Sequence, residues 1–139
     1  MLDIMGRSQA AAANILRGAH AMTDVTGFGL AGHLMAICKA SGTGAEIVLD
    51  DLPFYDGALD LAEAGIRSSL FDANFSHAPL IGAQGARGAL LHDPQTAGGL
   101  LAAVAADQAD RVLSKLHEAS VPAARIGHLT GGAPDIICR

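Results

Sequence analysis

The stretch Thr23-Asp24-Val25-Thr26-Gly27-Phe28-Gly29-Leu30-Ala31-Gly32 constrains the fold more than any other part of the sequence. It predicts a short strand over 19–24, a glycine-rich turn, and a helix over 28–40. Leu30, Leu34, Ile37 and Cys38 form one apolar face of that helix. Glycines at such a junction let the backbone approach an anion, and a helix N-terminus offers unpaired N–H groups and a partial positive charge. Asp24 stands at the mouth of the turn, and Thr26 adds a hydroxyl donor. A carboxylate beside a phosphate repels it unless a divalent cation lies between them. Mg2+ is commonly held by one or two carboxylates together with substrate phosphates.

Three readings of this segment stay open on its residues alone. In the first, Asp24 is a Mg2+ ligand at a nucleotide-phosphate turn. In the second, Asp24 caps the helix and the glycines only permit tight packing. In the third, Gly27, Gly29 and Gly32 are a G-x-G-x-x-G dinucleotide fingerprint, with Asp50 after the next strand as its acidic residue. Against the third, His20-Ala21-Met22-Thr23-Asp24 is polar where that fold needs a buried apolar strand.

Along the rest of the chain, a helix is predicted over 8–17, with Ser8 as N-cap and Gly18 as its stop. A buried strand follows over 45–49, then a turn at Asp50 to Pro53 and a helix over 56–63 ended by Gly65. The signal fades over 67–88. A strand is expected over 89–92, a loop over 93–99, a strand over 100–104, an amphipathic helix over 107–119 and a last strand over 124–129. Gly131, Gly132 and Pro134 mark the tail as loop. Interspersed helices and strands imply one α+β domain over 1–139, with a mixed β-sheet packed with helices.

Composition narrows the function classes. Half of the residues are hydrophobic, only 4% are aromatic and none is Trp, which suits a packed domain built on Ala, Leu, Ile and Val. The net charge of -5 and nine scattered basic residues argue against a nucleic-acid surface. No run reaches the ~18 apolar residues that a membrane helix needs, and no signal peptide is expected. Cys38 and Cys138 form no C-x-x-C pair, so a reduced, cytoplasmic setting is the expectation. The six histidines show no metal-ligand spacing, and His33 and His92 read as packed or surface residues. Cys38 reads as core, and Asp50-Asp51 with Asp60 and Glu63 as a solvated acidic surface.

A second glycine-rich turn, His92-Asp93-Pro94-Gln95-Thr96-Ala97-Gly98-Gly99, lies between two apolar runs. Pro94 forces Asp93 out of helical geometry, and alone the segment reads as a structural loop. Taken together, Thr23 to Leu34 and Leu91 to Leu101 resemble two signatures of the selenophosphate synthetase family. Gly44-Ala45-Glu46-Ile47, Asn74 and the 8–17 helix fit its pattern in order. The resemblance runs from about Gly6 to about Thr130. Ala97 departs from the family's usual Ser, and Ala36 lies near where a Glu is often found.

That resemblance implies the C-terminal domain of a two-domain enzyme related to aminoimidazole ribonucleotide synthetase. Such enzymes use ATP and selenide to make selenophosphate, with AMP and phosphate as the other products. It implies that Asp24 is the one metal-binding aspartate this domain supplies, and that Thr26, Gly27 and Gly29 lie beside the ATP phosphates. It places the reactive Cys or selenocysteine, a Lys, the other metal-binding aspartates and the homodimer contacts in an N-terminal catalytic domain. No catalytic residue is then expected on this chain, and alone it should be inactive. The Asp93 to Gly99 loop is expected to be mostly structural, a wall near the nucleotide. A stand-alone binding or regulatory module derived from the family is the alternative.

Overall fold

The structure, a computed structural model, describes residues 5–139; the first four residues of the expected 1–139 domain lie outside the described residues. The chain runs α1 (Ala10–Ile15), β1 (Ala21–Asp24), α2 (Gly29–Ser41), β2 (Thr43–Ile47), α3 (Ala58–Glu63) and α4 (Phe71–His77). It continues through α5 (Gly85–Leu90), β3 (Leu100–Ala103), α6 (Ala109–Glu118), β4 (Gly127–Gly131) and β5 (Ile136–Cys138). The first helix begins later than expected: its N-cap is Gln9, which makes no side-chain cap bond, and Ser8 lies one residue before it with its Oγ accepting the Ala10 N–H at 3.2 Å.

β2 is the centre of a mixed sheet, with β4 antiparallel on one side and β5 parallel on the other. β1 and β3 pair antiparallel in a separate ladder that sets Asp24 opposite Leu100. α2 spans the two. Its buried Ala31, Leu34, Met35 and Cys38 join Ala45 and Ile47 of β2 and Ile136 and Cys138 of β5 in the main core. A second cluster joins Ala12 of α1 and the following Leu16 to Leu116 of α6.

Three expectations change. The stretch 89–92 is not a strand: the His92 and Asp93 N–H groups bond back to the Ala89 and Leu90 carbonyls, each at 3.1 Å, and continue the end of α5 as a turn. The faint region 67–88 holds α4 and the start of α5. Leu70, Phe75 and Ile81 are about half exposed there, so no apolar stripe marks a helix face. The tail contains β5, three residues long. The Ala45 N–H donates to the Asp135 carbonyl and the Arg139 N–H to the Ile47 carbonyl, each at 2.9 Å. Arg139 Nε reaches Glu46 Oε1 at 2.8 Å.

The dinucleotide reading also falls. β1 and β2 lie in different sheets, so β1–α2–β2 is no parallel crossover unit. Asp50 sits in a short 3-10 turn, with its carboxylate 3.3 Å from Arg87 Nε.

Cys38 is a core residue, as expected, and Cys138 is buried beside it in the same cluster. Burial pushes both thiols up from their ordinary value. The thiolate is the reactive form. A disulfide reagent should therefore label neither cysteine in the native chain and both after denaturation. Rapid native labelling of Cys138 would show that the β5 edge opens.

Candidate functional site

Thr26 is the pivot of the first turn. Its carbonyl accepts the Gly29 N–H at 3.0 Å and the Gln95 N–H at 3.1 Å. Its own N–H donates to His33 Nε2 at 3.0 Å, and its hydroxyl lies 3.1 Å from the same nitrogen. A backbone N–H can only donate, so Nε2 is the acceptor in that bond. His33 is a packed residue, as expected, half-buried against Phe28, and it also reaches back along α2 and holds the turn. The sequence signal was its place in the first turns of the helix.

The carbonyl bonds determine where the free N–H groups face. A trans peptide is planar, so its C=O and N–H point in opposite directions. The Thr26 carbonyl is drawn inward, which turns the Gly27 N–H outward. The Gly27 carbonyl accepts from Asn74 Nδ2 at 2.9 Å, which turns the Phe28 N–H outward. Gly27 and Phe28 are exposed, and neither N–H has an intramolecular acceptor among the described residues. Apart from Gly27 and its two chain neighbours, no heavy atom of the described residues lies within 4 Å of where a Gly27 Cβ would sit. Gly29 is different: it is buried, has φ +67°, and a Cβ there would lie 2.6 Å from the Leu91 carbonyl oxygen.

The second turn is the bed under the first. Besides the Gln95 N–H, it supplies the Gly99 carbonyl to the Val25 N–H at 2.9 Å, while the Ala31 N–H donates to the Leu91 carbonyl at 2.9 Å. A Cβ on Gly98 would collide with the Val25 carbonyl oxygen. Asn74 Nδ2 also donates to the His92 carbonyl, at 3.0 Å. Neither Gly98 nor Gly99 has a left-handed φ, so close packing is what Gly98 is needed for.

His92 is 1% exposed and lies against the rings of Phe71 and Phe75, with centroids 5.9 and 5.1 Å away. Neither ring nitrogen has a partner among the described residues. Burial holds the imidazole below its ordinary value and pushes the Asp93 carboxyl up.

Asp24 is exposed at the end of β1, on the outward face with Met22. No group of three or more His, Cys, Asp and Glu side chains suited to a metal occurs among the described residues. The structure therefore divides the residues singled out in the sequence. Asp24 and Gly27 face outward three residues apart, and Phe28 joins them through its N–H. Thr26 and Gly29 spend their polar backbone groups inside the turn. Phe28 and Asn74 were given no role by sequence reasoning.

The site thus combines a carboxylate at a strand end, two outward N–H groups and a second glycine turn beneath them. The chain belongs to the family described as AIR synthase related protein, C-terminal domain, whose model matches residues 3–138. Its relatives include selenide, water dikinases, as the resemblance implied. That of Dechloromonas aromatica (strain RCB) is 39% identical over 127 residues, 87% of this chain and 36% of the relative. That of Pasteurella multocida (strain Pm70) is 42% identical over 116 residues, 82% of this chain and 33% of the relative. That of Enterobacter sp. (strain 638) is 39% identical over 140 residues, 97% of this chain and 40% of the relative. The chain thus spans about a third to two fifths of their length. A solved thiamine-monophosphate kinase from Stenotrophomonas maltophilia K279a superposes with a TM-score of 0.62 at 25% identity, over 87% of this chain and 32% of that one. The α+β fold with helices on a mixed sheet is the one this family shares. No helix among the described residues is long and apolar enough to cross a membrane.

Proposed function

We propose that this chain is the C-terminal domain of a selenide, water dikinase and forms one wall of its Mg2+–ATP site. The intact enzyme would make selenophosphate from ATP, selenide and water in the cytoplasm, as a homodimer. The observation that carries the reading is the orientation of two successive peptides, which face their N–H groups outward three residues after an exposed carboxylate.

The donor set fits the groups it would hold. Asp24 is a hard oxygen ligand at the surface, suited to Mg2+. When bound, the cation supplies neutralisation of phosphate charge, the main need in phosphoryl transfer. Gly27 and Phe28 donate to phosphate oxygens. Thr26 and Gly29 contribute by shaping the turn beside those oxygens. An N-terminal catalytic domain supplies the nucleophile and the remaining metal ligands, so the chain alone is inactive.

Combining this chain with the N-terminal domain of a relative tests the reading through Mg2+-dependent ATP turnover with selenide. Asp24→Asn should lower turnover about 100-fold or more, since loss of a ligand exceeds the ~10–100-fold cost of disturbing its outer partners. The melting temperature should not change, because Asp24 has no side-chain partner among the described residues. Undiminished turnover in this variant would sink the proposal.

A further inference from the structure

We propose that Asn74 is the positioning residue of the first turn: its side-chain amide decides which edge of the Gly27–Phe28 peptide faces an incoming phosphate. This rests on the phosphate reading above and deepens it. Asn74 lies on α4, is 5% exposed, and uses Nδ2 twice, to the Gly27 carbonyl 47 residues away and to the His92 carbonyl 18 residues away. Both partners are acceptors, so only the NH2 end of the amide fits between them. A carboxylate in its place would set an oxygen against two carbonyl oxygens.

Sterics do not hold the peptide at Gly27. A Cβ there would meet nothing within 4 Å, and glycine has access to most backbone conformations. Rotation of the Gly27–Phe28 unit would turn the carbonyl outward and the Phe28 N–H inward, presenting a negative dipole end to a phosphate. The Asn74 hydrogen bond selects the opposite state. It also ties that choice to the second turn, since the same nitrogen holds His92. The backbone of Asn74 is anchored independently: its N–H donates to the Leu70 carbonyl at 3.0 Å, and its carbonyl accepts the Ala78 N–H at 3.1 Å. Replacing the side chain therefore leaves the helical bonds of α4 in place.

The test uses the full chain, isotopically labelled, with Mg2+–ATP as the probe. Asn74→Asp and Asn74→Ala are compared with Leu116→Ala, a destabilising control in the other core cluster. In the wild-type chain, Mg2+–ATP should shift the Gly27 and Phe28 amide resonances. The Asn74 variants should move those two resonances before any ligand is added and weaken the response about tenfold or more, as expected when a donor is misplaced. Leu116→Ala should leave both unchanged at comparable loss of stability. Wild-type resonances and response in Asn74→Asp would overturn the proposal. A wild-type chain that ignores Mg2+–ATP counts against the phosphate reading alone; the ligand-free resonances still judge Asn74. The wild-type chain offers a check free of any substitution. The two Asn74 side-chain amide protons should exchange slowly with solvent, and fast exchange of both rejects the hydrogen bonds on which the inference stands.

Discussion

Gly29→Ala is expected to destabilise the chain by about 3 kcal/mol or more, whereas Gly27→Ala, two residues earlier, should stay within ~1 kcal/mol of wild type. Gly29 has φ +67°, where an L side chain costs roughly 1–2 kcal/mol. Its Cβ would also lie 2.6 Å from the Leu91 carbonyl oxygen and 2.9 Å from the His92 carbonyl carbon. Those are backbone atoms of the second turn, and they cannot swing aside as a side chain does. Overpacking of this kind adds roughly 1–3 kcal/mol. At Gly27 the φ is not left-handed and the space is open. On the reading proposed above, its methyl group would instead enter the open space from which a phosphate approaches. Gly27→Ala should therefore keep the fold and lose Mg2+–ATP binding, while Gly29→Ala loses both. Urea unfolding midpoints at constant m-value, measured beside nucleotide binding, separate the two. Equal losses of stability at both positions would contradict the division of labour drawn above.

The second large effect is expected at His92. Among the described residues the two ring nitrogens are buried without hydrogen-bond partners, and each such group costs about 1–3 kcal/mol. Leucine of similar bulk removes both but also loses the edge contacts of the ring with Phe71 and Phe75, so His92→Leu should stabilise the chain by a net ~1–3 kcal/mol at neutral pH. The pH dependence has a definite sign. Burial holds the folded-state imidazole below its ordinary value of 6.5. As pH falls below 6.5, the unfolded chain binds a proton that the native chain refuses, so native stability falls. Above that value both states are neutral and the contribution vanishes. His92→Leu should abolish this acid limb, so its advantage over wild type widens as pH drops from 8 toward 5.5. The neighbouring Asp93 acts in the opposite direction. Its carboxyl is raised above 3.8, so its contribution is present below that pH and is lost as pH rises through the folded-state value. A stability difference between wild type and His92→Leu that stays constant with pH would show that the imidazole has found a partner.

The local elements of this fold were legible because their causes are local. The strand before Thr26, the helix from Gly29 to Ser41 and the amphipathic helix ending at Glu118 follow from side-chain period, turn glycines and helix propensity. β5 and α4 were not legible. Three residues are too few to show a period, and β5 exists because Asp135 and Arg139 bond across to β2. α4 leaves Phe75 half exposed, as is Leu70 just before it, so its sequence lacks the stripe that marks a packed helix.

The site divides in the same way. The order of residues from Asp24 to Gly29 already specified a carboxylate before a glycine turn before a helix. It could not specify which peptide edges face out, since that depends on Asn74 and Gln95, 47 and 69 residues beyond the groups they hold. Nor could it distinguish Gly27 from Gly29: one borders open space, the other a carbonyl of the second turn. Dihedral preference and periodicity are written into neighbours along the chain. The facing of a peptide dipole is settled by hydrogen bonds between distant segments, and these exist only once the core has brought the two turns together.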